Sequence, residues 1–254
     1  MNYTRAESLE SIEKTMRTLK LGGMAKEWRN VEYRDAEQYM RALLDIEVRE
    51  REANRMARMI KQANFRVIKT LDTFVWKPTI EIPATIAKME IEAASFVKKK
   101  ENLVLMGASG TGKTHLATAV AMNLCEKGRH VRFFTAPGLA NTLQEKKARG
   151  TLTSFMTSLR KVELLVLDEV GFITLHKEAS ELLFQVVSDC YEQKSLIITS
   201  NLEFSQWNAV FGNDKLTAAM IDRLIHHSHI LVFSGLSHRL EESVQRQRKG
   251  SEKH

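Results

Sequence analysis

The stretch GASGTGKT at positions 107–114 constrains this chain more than any other. It follows the apolar run LVLM and precedes HLATAVAMNLCEKG (115–128), which has the apolar spacing of a helix closed by Gly128. Strand, glycine-rich loop and helix in that order make a P-loop. The glycines let the backbone curl so that successive N–H groups point at one phosphate, and the helix adds the partial positive charge of its N terminus. Gly107, Ala108, Ser109, Gly110, Thr111, Gly112, Lys113, Thr114 and His115 are then the expected nucleotide-binding residues. Lys113 is expected to reach the β- and γ-phosphates, and the Thr114 hydroxyl to ligate Mg²⁺.

The rest of residues 101–233 alternates strand and helix. NLVLM (102–106), HVRFF (130–134), VELLVLDE (162–169), SLIITSN (195–201) and HILVF (229–233) read as strands. GLANTLQEKKARG (138–150) and ASELLFQVVSDCYEQ (179–193) read as helices between them. Near-continuous Val, Ile and Leu runs suit strands buried on both faces, so the expected fold is α/β, with a five-stranded parallel sheet. Asp168 ends one apolar strand, where a carboxylate needs a reason to be, and holding Mg²⁺ is such a reason. Glu169 beside it can act as general base toward water. Asn201 stands at the end of the next strand, at the edge where ligands of such sheets bind, and reads either as a water-orienting amide or as a plain turn residue. Arg223 and Arg239 read either as cations for a phosphate or as surface ion pairs.

The N-terminal part differs. Residues 1–66 contain no proline and read as helix throughout, interrupted at LGGM (21–24). Tyr39, Met40, Leu43 and Leu44 begin an apolar stripe that resumes at Met56 and Ile60, and the charged run EVREREANR lies between. Residues 67–83, with Pro78 and Pro83, read as a linker; Pro83 is expected to open a helix over 84–97. Residues 84–245 form the expected nucleotide-binding domain with a short C-terminal lid helix, and 246–254 a frayed tail. With no apolar run of about 18 residues, a charged N terminus and only Cys125 and Cys190, the chain reads as cytoplasmic, with no membrane span. A formal net charge of +7 makes nucleic acid the first partner to consider and an anionic membrane surface the second.

GASGTGKTHLATAV, LLVLDEVGF, LLFQVVSDCYE, IITSNLEFSQW, MIDRLIHHS and GLSHRLEE together resemble the IstB ATPases, transposition helpers of bacterial insertion sequences. KLGGMAKEW and DIEVREREANRMARMIKQANF extend the resemblance to about residue 245. The P-loop by itself is generic; HLATA, TSNLEFSQW and DRLIHHS carry the specificity. The family is of the AAA+ class, related to the DnaC helicase loader and the DnaA initiator. The resemblance implies ATP as the nucleotide, ATP-dependent homo-oligomers on duplex DNA and a partner transposase of the IstA type. It further implies Arg223 as an arginine finger toward a neighbouring copy, Arg239 as a sensor on the chain's own nucleotide and Asn201 as a polar sensor. His238 stands where an aromatic is expected.

Three basic groups could meet DNA phosphates: Arg51, Arg55 and Arg58 on one face of the N-terminal helix, Lys146, Lys147 and Arg149 at the end of another, and Lys98, Lys99 and Lys100. In the related initiators a helical insert near the second group faces DNA. Each group can equally be a solvated face. None reads bases, so binding is expected to be sequence-independent and strongly salt-dependent. The spacing His226-His227-x-His229 lacks partner Cys or carboxylate ligands, and a zinc site is not expected there. Two other functions stay open: a DnaC-type helicase loader acting on single strands, and a scaffold that binds ATP without turning it over. Intact Asp168 and Glu169 argue against the second.

Overall fold

The computed structural model describes residues 5–235 and Ser237. The chain divides into two compact units, Met1–Arg58 and Met59–His254. Arg239, His238 and the expected lid and tail lie outside the described residues.

The first unit holds α1 (Arg5–Thr18), α2 (Gly22–Glu27) and most of α3 (Ala36–Ala63). The expected break falls at Lys20, whose φ is 59°, and the paired glycines open α2 instead. Gly23 is there for closeness: a Cβ on it would stand 2.8 Å from Glu50 Cβ and 3.1 Å from the Ile46 carbonyl oxygen of α3. The α2 N terminus has no cap from its own segment; the Glu47 carboxylate supplies one, accepting the Gly23 and Met24 N–H groups at 2.8 and 3.2 Å. Arg51 donates to the same carboxylate at 2.8 Å. α3 runs unbroken through EVREREANR. Of the predicted stripe, Leu43 is buried, whereas Met40 and Leu44 are exposed, because α3 turns Leu43, Ile46 and Glu47 inward.

Burial raises the Glu47 pKa, but the Arg51 hydrogen bond and the Met24 and Gly23 N–H groups outweigh it, and the net shift is downward. A carboxylate with a lowered folded pKa contributes stability above its unfolded value, and that contribution disappears as pH falls through the folded value. Glu47→Gln is therefore expected to destabilise this unit by about 1–2 kcal/mol at neutral pH, the difference between charged and neutral hydrogen bonding. Thermal melts at neutral and acid pH check it: the gap between parent and variant should close below the ordinary carboxylate range.

The second unit is built on a sheet of six strands: β1 (Ile80–Glu81), β2 (Asn102–Gly107), β3 (Val131–Thr135), β4 (Leu164–Val170), β5 (Ser195–Ser200) and β6 (Ser228–Phe233). Their order is β1-β6-β2-β5-β4-β3, and all neighbours are parallel except β1 and β6. The five expected strands are present, and β1 is the addition. It pairs Ile80 with Phe233 at the sheet edge, the place a short strand beside Pro78 and Pro83 can occupy. The segment expected as linker thus supplies an edge strand, and its Phe74, Trp76, Ile80 and Ile82 pack against the core. Pro83 opens no helix: its carbonyl closes a turn to Ile86, and α4 (Lys88–Ala93) follows.

Helices cover both faces: α5 (Lys113–Glu126), α6 (Ala136–Ala148), α7 (Leu152–Arg160), α8 (Lys177–Cys190), α9 (Asn208–Phe211) and α10 (Asp214–Ile225). One core cluster joins α5 with Ile91, Phe96 and Phe133, and includes Met59 and Ala63 from the end of α3. The other joins α6, α8 and α10 around the fully buried Trp207 and Phe211. α7 has no counterpart in the sequence reading, although Leu152, Phe155, Met156 and Leu159 have helical spacing. Burial pushes both thiols, Cys125 and Cys190, up to about 12, which leaves them unreactive.

Candidate nucleotide-binding site

The carboxyl ends of β2, β4 and β5, three adjacent central strands, bring the predicted residues together. After β2 the backbone turns through Gly107 (φ 138°), Gly110 (φ 80°) and Gly112 (φ 105°), a path closed to residues with a side chain. At Gly107 closeness adds to conformation, because a Cβ would run into the Phe233 carbonyl oxygen of β6. α5 starts at Lys113 with no side chain capping it, so its first N–H groups face the loop. Lys113 is buried, and its Nζ donates to the Gly107 and Ala108 carbonyl oxygens at 2.6 Å each.

Asp168 is 2% exposed. A carboxyl group at that depth requires hydrogen-bond partners. Its Oδ1 accepts the Thr114 hydroxyl at 2.8 Å and the Thr199 hydroxyl at 2.5 Å. The Thr114 contact ties the P-loop to β4, and the Thr199 contact ties β4 to β5. A carboxylate and a hydroxyl form the hard oxygen set that Mg²⁺ prefers, so Thr114 and Asp168 fit the ion the motif implies. Glu169 has φ 61°, a conformation unfavourable for a side-chain-bearing residue, and its N–H donates to Thr199 Oγ1 at 3.0 Å. The β4–β5 register slips at this point, between Leu167 and Val170. The slip turns the Glu169 side chain to a partly exposed position, where it pairs with Arg66 at 3.6 Å. Asn201 directly follows β5; its Oδ1 lies 3.3 Å from where a Cβ on Gly171 would stand, beside the turn after Glu169.

Other predicted residues lie elsewhere or have other partners. The Arg223 guanidinium stacks over Phe184 at 5.0 Å and donates to the Ala219 carbonyl oxygen at 2.9 Å, on the α8–α10 layer. The His115 ring packs against the segment before β1: Nε2 meets Thr73 Oγ1 at 3.1 Å, and the ring stands edge-on to Phe74. Arg51 is held by Glu47 and the Lys20 carbonyl oxygen, on α3 with Arg55 and the exposed Arg58. At the end of α6, Lys147 pairs with Glu178, a hydrogen bond that raises the lysine pKa, while Lys146 and the exposed Arg149 flank it. Lys99 pairs with Glu90.

Sequence reasoning missed three residues. Thr199 serves both Asp168 and Glu169 from the neighbouring strand; its position two residues before Asn201 was the available signal. Phe74 lies 3.5 Å from where a Cβ on Gly112 would stand, and so lies beside the P-loop. A linker has no need of the Phe and Trp in KTLDTFVW, which is the signal for Phe74. Arg66 had none.

The family model of the IstB-like ATP binding protein matches residues 14–246. The chain is 33% identical over 242 residues to an ATP-binding protein of insertion sequence IS5376 from Geobacillus stearothermophilus, covering 92% of this chain and 95% of that one. It is 35% identical over 187 residues to the corresponding IS21 protein of Pseudomonas aeruginosa, covering 74% and 70%. Among solved structures, the DnaC helicase loader superposes with a TM-score of 0.51 at 24% identity, over 65% of this chain and 96% of that one. Domain III of the Thermotoga maritima replication initiation protein DnaA does so at 0.53 and 21%, over 72% and 74%. These structural likenesses establish the fold, that of AAA+ domains. A family match over nearly the whole length, on a chain whose P-loop, Thr114 and Asp168 are joined as a nucleotide site requires, places this protein in the IstB-like ATP-binding protein family.

Proposed function

We propose that this chain is an ATP-hydrolysing helper of DNA transposition. Copies carrying ATP oligomerise on duplex DNA and present it to a partner transposase of the IstA type, and hydrolysis disassembles or remodels the complex. The observation that carries the reading is the hydrogen bond from Thr114 to the buried Asp168, with Glu169 next in the chain. It brings Thr114 of α5 against the end of β4, beside Glu169, in a chain with insertion-sequence relatives, which supports the reading of a metal-binding pair next to a general base.

Each residue has a part. The P-loop N–H groups and Lys113 bind and orient the phosphates. Thr114 and Asp168 hold Mg²⁺, which neutralises phosphate charge when bound. Glu169 takes a proton from the attacking water, and Asn201 orients that water. Arg223 reaches the γ-phosphate of a neighbouring copy, which makes assembly depend on the nucleotide, while Arg239 acts within its own chain. Arg51, Arg55, Arg58, Lys146, Lys147 and Arg149 meet DNA phosphates, and the place of action is the cytoplasm. No helix among the described residues is long and apolar enough to cross a membrane.

Light scattering tests this directly, with ATP or ADP and with duplex or single-stranded DNA. Duplexes of about 60 base pairs span several helical turns of roughly 10.5 pairs. ATP with duplex should give a large, defined complex that ADP does not give, and that complex should weaken steeply with salt. Assembly on single strands alone would replace this reading with that of a helicase loader.

A further inference from the structure

The fold brings a carboxylate from a distant turn to the pair His226-His227. Glu192, in the turn between α8 and β5, lies with its carboxylate 3.6 Å from His227 Nε2. One ligand atom from each of Glu192, His226 and His227 lies within 4.8 Å of the others. His229 takes no part: its ring is buried between Thr85 and Glu101, at 2.9 and 3.0 Å.

We propose that Glu192, His226 and His227 form a binding site for a zinc-type transition-metal ion, separate from the nucleotide site. Two imidazoles and one carboxylate, with a fourth position left to water, are a known zinc donor set. Zinc bonds of about 2.0–2.2 Å at tetrahedral angles set ligand atoms roughly 3.3–3.5 Å apart. The His227–Glu192 distance is already close to that.

The backbone at each ligand is fixed by hydrogen bonds. The His226 N–H donates to the Asp222 carbonyl oxygen at 3.2 Å, and the His227 carbonyl oxygen accepts the Asn102 N–H at 2.6 Å. Glu192 has φ 56°, in a turn closed by the Gln193 and Lys194 N–H groups on the Cys190 carbonyl oxygen. Only exposed side chains therefore need to move to close on an ion. Tyr191 supplies an outer partner, its Oη lying 3.0 Å from His226 Nδ1. With Nδ1–H donated to Tyr191, the imidazole keeps the lone pair on Nε2 for the metal, the arrangement that orients metal-binding histidines. His226 is also the C-cap of the 12-residue α10, whose terminal carbonyls favour a cation. Nitrogen ligands select against Mg²⁺, so the ion of the nucleotide site does not compete. A bound ion would fasten the end of α10, one turn beyond Arg223, to the α8–β5 turn.

Calorimetric titration of the chelator-stripped full chain with Zn²⁺, in excess Mg²⁺, tests the site. One equivalent should bind, and Zn²⁺ should raise the melting temperature. Tyr191→Phe should weaken binding about tenfold or more, as loss of an outer partner does. Glu192→Gln and the double variant His226→Ala/His227→Ala should lose more still. Glu101→Gln, beside His229, should change nothing. Circular dichroism checks that the variants fold. The parent chain should also give the absorption bands of tetrahedral Co²⁺, a readout independent of any substitution. Absence of stoichiometric binding, or binding that survives the double variant, overturns the proposal.

Discussion

Glu169→Gln should bind ATP as the parent does and turn it over at least about a hundredfold more slowly, the lower range for losing a general base. The amide matches the carboxylate in size and cannot take the proton of the attacking water. The binding elements are separate from it. Asp168 keeps its bonds to Thr114 and Thr199, and the 169 backbone N–H still donates to Thr199 Oγ1. Only the weak Arg66 pair is lost, and an ion pair with both partners this exposed contributes at most about 1 kcal/mol. Unaltered affinity with a collapsed rate is therefore the expected signature. If ATP holds copies together on DNA, the same variant should persist in the assembled form after the parent has dispersed. Single-turnover hydrolysis together with fluorescent-nucleotide titration separates the two effects. Hydrolysis at the parental rate would remove Glu169 from the mechanism.

What could be read from the sequence follows from how local each cause is. The P-loop was legible because its path is set by three glycines, and no other residue tolerates φ values of 138°, 80° and 105° in succession. The five parallel strands were legible because burial on both faces leaves unbroken apolar runs. β1 was not, since two residues beside prolines have no pattern and gain their strand geometry only by pairing with β6. Thr199 reads as one more β-branched residue of a buried strand until Asp168 arrives beside it from β4. Glu47 reads as part of a charged run, although the backbone of α2, more than 20 residues earlier, draws it into the interior. Glu192 and the histidine pair are 34 and 35 residues apart, and only the return of the chain through β5 and α10 brings them together. In each case the missing information was a long-range partner. Arg223 shows the same limit at the next level, because the partner proposed for it is on another copy.

Lys113→Ala should abolish ATP-driven assembly on DNA. The Lys113 ammonium is buried and turned onto the Gly107 and Ala108 carbonyl oxygens, inside the loop that would wrap the phosphates. Hydrogen bonds to charged groups contribute about 1.5–3 kcal/mol each, so loss of one such contact to a phosphate weakens binding roughly 10- to 150-fold. The same substitution leaves two loop carbonyls without this partner, which could loosen the loop by itself. Lys113→Met separates the causes, since it keeps the length and fills the space without the charge. If charge on the phosphates is the function of Lys113, both variants should fail alike, and each should lose more affinity for ATP than for ADP, because the γ-phosphate is among its expected partners. If packing of the loop is the function, Met should restore part of the binding, and ATP and ADP should weaken together. Nucleotide titrations of the two variants, read beside light scattering on duplex DNA, decide between them. Assembly with ATP at the parental level in Lys113→Ala would mean that the P-loop does not govern assembly.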